Sequence, residues 1–147
     1  MTTKGDALRS ERRRHAREMA VKILYEVEMG SLTREEAQAR IRRKLRQPET
    51  RDLAIGLVNQ TLENMARIDK IISGVAENWD LSRMAALDRS ILRLGTAEIF
   101  YSDVPAKVAI NEAIEIAKRF STEDSGRFVN GILDRVARIK SEIRDSI

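Results

Sequence analysis

An arginine cluster near the N-terminus has the residue types that suit contact with a polyanion. It consists of Arg12, Arg13, Arg14 and Arg17. Guanidinium groups stay charged and donate hydrogen bonds in a planar fork that matches phosphate geometry, so the cluster is suited to phosphate binding. The alternative interpretation is an arginine-rich helix face that is only solvated.

A polar turn, STEDSGRF, forms a second candidate group in the last third of the chain. It places Asp124, Ser125, Arg127 and Phe128 at the start of a predicted helix, where backbone N–H groups have no helical partner. Free donors, a guanidinium and an aromatic edge would together suit the backbone and bases of RNA. The alternative is that Ser121 and Asp124 only cap the helix, while Phe128 only packs in the core.

The residues that enzymes and metal sites use are scarce. The chain has no cysteine, and its single histidine, His15, is more typical of a surface residue than of a general base. No Gly-rich phosphate loop, nucleophile elbow or metal-ligand spacing occurs. We therefore expect no catalytic residue, no metal and no cofactor.

Charge is distributed unevenly along the chain. Residues 1–51 contain 14 Lys/Arg and 8 Asp/Glu, whereas the remaining 96 residues contain 13 and 15. A basic end on a near-neutral body favours local contact with a polyanion. Because no apolar run approaches the roughly 20 residues of a membrane span, and no signal peptide is recognisable, we expect a cytoplasmic protein.

Helical periodicity dominates the sequence and predicts an all-α fold. A capping box formed by Thr33 and Glu36 marks the start of the second helix. Gly95 is expected to permit close approach of two helices. The predicted helices cover about 9–29, 34–46, 48–78, 83–101 and 105–120, and a last one is capped by Ser121 or Thr122.

A second apolar stripe lies opposite the core face of the first helix. At 100° per residue, Tyr25 falls about 180° from the core direction set by Ala16, and Val21 and Met29 fall on either side of Tyr25. Such a stripe either packs on another part of the same chain or binds a partner protein.

Three segments resemble the NusB family of bacterial transcription antitermination factors, and the resemblance spans nearly the whole chain. They are RRRHAREMAVKILYEVE at 12–28, ALDRSILRLGTAEI at 86–99 and VPAKVAINEAIEIAKRFSTEDSGRFVNGILDRV at 104–136. The resemblance implies one compact helical bundle of two packed subdomains, at about 9–78 and 83–144. It also implies binding of single-stranded boxA RNA of ribosomal RNA transcripts together with ribosomal protein NusE, in an RNA polymerase complex with NusA and NusG.

The resemblance also implies roles for individual residues. The arginines of the first cluster correspond to RNA-phosphate contacts, and the residues of the turn correspond to base and backbone contacts. Tyr25 and Asp88 correspond to the protein-partner face, on which some family members instead form a homodimer. Residues 30–50 follow no pattern that can be carried over.

The residues support two alternative functions to different extents. The family fold also occurs as the N-terminal domain of a ribosomal RNA cytosine methyltransferase, but we expect no such enzyme, because the chain lacks a Gly-rich cofactor unit and a cysteine nucleophile. A protein-only adaptor with a solvated basic end is the second alternative.

Overall fold

The computed structural model describes residues 3–76 and 79–145, and within these ranges the chain is helical without a β-strand. This confirms the all-α prediction. The elements are α1 Lys4–Glu28, α2 Arg34–Lys44, α3 Pro48–Glu63, α4 Met65–Val75, a short 3-10 turn Leu81–Arg83, α5 Ala86–Tyr101, α6 Ala106–Phe120 and α7 Glu123–Asp145.

The chain divides into two compact units, residues 1–59 and 60–147. The division falls within α3, and α4 packs against α5 and α7 of the second unit. The subdomain limits implied by the resemblance, about 9–78 and 83–144, stay a prediction.

The first helix begins earlier than the apolar periodicity indicated, because a capping box precedes it. The Thr3 hydroxyl accepts a hydrogen bond from the Asp6 N–H, and the Asp6 carboxylate accepts one from the Thr3 N–H. The hydrogen bond from the Thr3 N–H to the carboxylate, and next to it a side-chain hydrogen bond from Thr3, lower the pKa of Asp6. Aspartate here takes the place of the glutamate or glutamine of the usual motif.

The second helix begins at the predicted capping box and packs in the first unit. The Thr33 hydroxyl accepts from the Glu36 N–H, as the sequence indicated. A half-buried ion pair between Arg40 and Glu26, at 2.6 Å, connects α2 to α1. Because α2 has only a small apolar face, this ion pair adds to the contacts that hold it against α1.

The long third helix predicted for 48–78 is wrong, because the structure has two helices that are separated at Asn64. The Asn64 amide donates to the Gln60 carbonyl at 2.8 Å, and the Asn64 backbone is non-helical. An asparagine side chain competes with the backbone for such carbonyls, which favours a helix boundary. The predicted end, Asn78, lies outside the described residues, and α4 ends at Val75.

The second unit is a bundle in which α5, α6 and α7 pack on one another. Arg93 on α5 donates two hydrogen bonds to the Asp69 carboxylate on α4, at 2.8 and 2.9 Å. Its core consists of fully buried aliphatic side chains, among them Ile91, Leu92, Ile99, Val129 and Leu133.

Helix α5 starts later than predicted, at Ala86 and not at about residue 83. Met84 and Ala85 have extended backbones, with ψ of 150° and 136°. The Arg89 side chain donates to the carbonyls of Leu81 and Met84, at 2.9 and 3.0 Å, which satisfies this non-helical backbone.

Gly95 permits close packing of α5 against α7, as predicted. A Cβ at this position would lie 2.7 Å from Cδ1 of Leu133, a side chain with no solvent exposure. Since Leu133 is enclosed by the core, it has little room to move away.

Gly95→Ala is therefore expected to lower the free energy of unfolding by about 1 kcal/mol. Overpacking costs about 1–3 kcal/mol, which exceeds the gain of about 1 kcal/mol in helix propensity. Gly56→Ala is the matched control, because Gly56 is an exposed position within α3 with no atom within 4 Å of the added Cβ. It should raise stability by about 0.5–1 kcal/mol. Urea unfolding measures both, and equal changes would contradict the packing argument.

Candidate nucleic-acid interface

The polar turn before α7 is organised around Ser125. The Thr122 hydroxyl accepts from the Ser125 N–H at 3.0 Å, so Thr122 caps the helix, one of the two predicted candidates. The Ser125 hydroxyl lies 2.8 Å from that of Ser121 and donates to Oδ2 of Asp88 at 3.3 Å. The turn therefore fixes Ser125 against α5.

Asp124 is not the cap of α7. Its side chain is 90% exposed and forms an ion pair with Arg127 at 3.6 Å. In the first turn of the helix, a carboxylate still interacts favourably with the helix dipole. A surface pair of this kind contributes at most about 1 kcal/mol, so both side chains remain available to a ligand.

Asp88 lies in the first turn of α5, beside Ser125. Asp88 is 9% exposed, and its Oδ1 has no hydrogen-bond partner among the described residues. Burial raises the pKa of Asp88, and the hydrogen bond from Ser125 counteracts part of that effect. The resemblance assigned Asp88 to the protein-partner face, but its contact is with a residue of the predicted RNA site.

Trp79 and Phe128 form an aromatic pair at the same place. Their ring centroids are 5.2 Å apart at an interplanar angle of 73°, and Trp79 is 57% exposed. Phe128 is half-buried, so it both packs and keeps an accessible edge. The pair borders a cavity of about 290 Å³ that is lined by Trp79, Arg83, Met84, Ala85, Asp88, Thr122, Asp124, Ser125 and Phe128. This is called the aspartate cavity below.

A second cavity, of about 200 Å³, shares Trp79 and Phe128 with the first. Its lining also includes Arg127 and Arg135. Arg135 donates to the Val75 carbonyl at 2.9 Å, at the C-terminal end of α4. Two guanidinium groups thus lie beside the aromatic pair.

The sequence interpretation missed Trp79, Arg83 and Arg135. A lone tryptophan outside the helical periodicity, followed by the Asp80 cap of a short turn, is the signal that could have indicated an exposed aromatic residue. Nothing in the sequence places Arg135 near it, because 56 residues separate the two positions.

The arginines of the first cluster differ in exposure along α1. Arg13 and Arg14 are exposed, and Arg12 is half-exposed and pairs with Glu49 at 3.2 Å. Arg17 is only 5% exposed, which argues against its predicted contact with RNA phosphates, a contact that stays a prediction. In the second half of α1, buried residues lie on more than one side of the helix, and Arg17 is one of them.

The Val21, Tyr25 and Met29 stripe is divided in the same way. Val21 is 1% exposed and belongs to the core, which argues against its prediction as an interface residue. Tyr25 and Met29 remain 38% and 57% exposed near the end of α1. The start of the stripe is thus packed by the chain itself and its end is exposed, and binding of a partner at that end stays a prediction.

Across residues 3–76 and 79–145, no group of His, Cys, Asp and Glu side chains is arranged to hold a metal ion. No described helix is long and apolar enough to cross a membrane.

Comparison with known proteins decides the family. The sequence matches the NusB family over residues 14–138. The chain belongs to the NusB family. A relative in Pelotomaculum thermopropionicum, named transcription antitermination protein NusB, is 42% identical over 137 residues, which are 92% of this chain and 95% of the relative.

Solved NusB structures have the same fold. The structure of T. maritima NusB has 40% sequence identity and a TM-score of 0.75, and the match covers 86% of this chain and 90% of that one. A complex of the antitermination factors NusB and NusE with double-stranded RNA has 24% identity and a TM-score of 0.79, over 88% and 98% of the two chains. At that identity the likeness concerns the fold alone.

Proposed function

We propose that this NusB-family protein is a non-enzymatic transcription antitermination factor. It binds single-stranded boxA RNA of ribosomal RNA transcripts together with NusE, as part of an RNA polymerase complex that includes NusA and NusG. Because such a factor acts on nascent transcripts, we expect it in the cytoplasm. Family membership supports the antitermination role, because the relative described above bears that name.

The observation that carries RNA binding is the arrangement around the aromatic pair. Trp79 and Phe128 offer surfaces on which bases stack, while Arg127 and Arg135 offer charge to the phosphates. Single-stranded RNA is recognised by this combination of aromatic stacking and a basic surface. On α1, Arg13 and Arg14 supply two further exposed guanidinium groups.

Salt dependence of RNA affinity tests the contribution of α1. If Arg13 and Arg14 both contact phosphates, the double alanine variant should reduce the slope of log affinity against log salt by about 1.4, since each single-strand contact contributes about 0.7. Fluorescence anisotropy with a boxA oligonucleotide at several salt concentrations measures the slope.

The Arg42/Arg43 double alanine variant is the matched control for that experiment. Both residues are exposed on α2, so the variant removes the same charge from another helix of the same unit. It should change the slope much less. Equal slopes in the wild type and the Arg13/Arg14 variant would show that the N-terminal arginines are only solvated, whereas absence of RNA binding by the wild type would favour the protein-only adaptor.

The exposed end of the α1 stripe is the proposed binding surface for NusE. Tyr25 and Met29 present an aromatic ring and a flexible thioether, which are both enriched in protein interfaces. A homodimer through the same surface is the competing occupant. Sedimentation of the free protein, with and without NusE, distinguishes the two.

A further inference from the structure

We infer that the aspartate cavity is a guanine-binding pocket, in which one base of the bound RNA lies against Trp79 and donates its Watson–Crick N–H groups to Asp88. The inference rests on the proposed RNA binding and adds base specificity to it. It assigns Asp88 to RNA, and not to the protein partner with which the resemblance associated it.

The size and lining of the cavity suit a single base. Its volume of about 290 Å³ lies just below the range of small-molecule pockets, which is about 300–1,000 Å³. Trp79, Met84 and Phe128 supply apolar and aromatic surface, and Trp79 is more than half exposed before any ligand binds. A flat aromatic ligand would cover that surface.

The polar group in the cavity is an acceptor without a donor. Oδ2 of Asp88 accepts from Ser125, whereas Oδ1 has no partner within the described part of the chain. A buried acceptor that lacks a donor destabilises a fold. Oδ2 serves the fold through Ser125, but Oδ1 does not, so a ligand that brings N–H groups would explain the unpaired oxygen.

Guanine is the base whose edge matches this acceptor. It carries N1–H and N2–H side by side, and an ionised carboxylate accepts several hydrogen bonds through its two oxygens. Adenine and cytosine place an acceptor beside their amino group, and uracil places acceptors on both sides of its N3–H. Those acceptors would face the carboxylate lone pairs and repel them.

The flanking charges suit the rest of a nucleotide. Arg83 lines the aspartate cavity. Arg127 and Arg135 line the second cavity, which shares Trp79 and Phe128 with it. A base in the aspartate cavity would therefore have guanidinium groups near its phosphates. An inserted lysine or arginine of a protein partner would satisfy Oδ1 equally well, but it would leave the aromatic surface uncovered and meet these arginines.

The test compares three RNAs that differ at one base. An oligouridylate of about nine nucleotides, within single-strand site sizes, is measured alone, with one central guanosine and with one central inosine. The wild type should bind the guanosine RNA about tenfold more tightly than the oligouridylate. Inosine, which keeps N1–H but lacks the amino group, should fall between them. Equal binding of all three would overturn the guanine pocket and leave RNA binding intact, whereas absence of any binding would overturn both.

Two isosteric variants locate the preference. Asp88→Asn replaces the acceptor pair by an amide and should bring the guanosine and uridine RNAs to within about twofold of each other. Asp124→Asn removes the same charge from an exposed carboxylate that lines the same cavity, so it should shift the affinity for both RNAs by a common factor. A guanosine preference that survives Asp88→Asn, with weakened NusE binding instead, would assign Asp88 to the protein interface and overturn the inference. If Asp88→Asn fails to fold, the comparison of the three RNAs on wild type still decides the matter.

Discussion

Replacing Tyr25 with alanine is expected to weaken NusE binding by about 30-fold or more. An aromatic anchor at the centre of an interface typically contributes 2 kcal/mol or more, which corresponds to that factor. The free energy of unfolding should change by less than about 1 kcal/mol, because Tyr25 is 38% exposed in the free chain. Calorimetric titration with NusE and urea unfolding measure the two quantities.

Val108→Ala is the matched control for Tyr25. Val108 is another exposed apolar residue, on α6 of the second unit, and it lies outside the proposed partner surface. Its replacement should leave NusE affinity within about twofold of wild type. A large loss of stability in Tyr25→Ala, with NusE affinity retained, would instead show that Tyr25 serves the fold.

The second large effect is expected for Trp79→Ala, which should reduce RNA affinity by about 5- to 150-fold. Stacking of one base on an aromatic ring contributes about 1–3 kcal/mol. The unfolding free energy should fall by no more than about 1.5 kcal/mol, the typical contribution of an aromatic pair such as that with Phe128. Anisotropy with a boxA oligonucleotide measures the affinity.

The salt slope distinguishes this effect from a phosphate contact. Trp79 carries no charge, so Trp79→Ala should weaken binding at every salt concentration and leave the slope unchanged, in contrast to the arginine variants. Trp79→Phe keeps an aromatic face and should recover most of the affinity. RNA affinity that is unaffected by Trp79→Ala would exclude stacking on this residue.

The burial of Arg17 and Val21 illustrates one limit of prediction from a single helix. Periodicity along α1 places Val21 opposite the core face defined by Ala16, and that angular assignment follows from helix geometry alone. It does not reveal how much of the opposite side the rest of the chain covers. The structure shows that the second half of α1 is covered on both sides, while Tyr25 and Met29 emerge near its end.

Local sequence patterns correctly predicted those structural features that depend on residues close together in the chain. The capping boxes, the helical periodicity and Gly95 act within one or two turns or through one close contact, so their outcome can be inferred from residue type and spacing. The motifs of the first helix, the LDRSILR segment and the turn before α7 likewise identified the NusB family, which residues 14–138 confirm.

The sequence by itself thus determined the helical class, most helix limits and the residue types of the candidate sites. Only the tertiary structure decided which of those residues meet. Asp88 and Ser125 are 37 positions apart, and their hydrogen bond depends on how α5 packs against the start of α7. The ring contact between Trp79 and Phe128 likewise joins two positions that are far apart in the sequence. Contacts between distant positions depend on the packing of whole helices, which no local pattern specifies, and the lining of the aspartate cavity consists of such contacts.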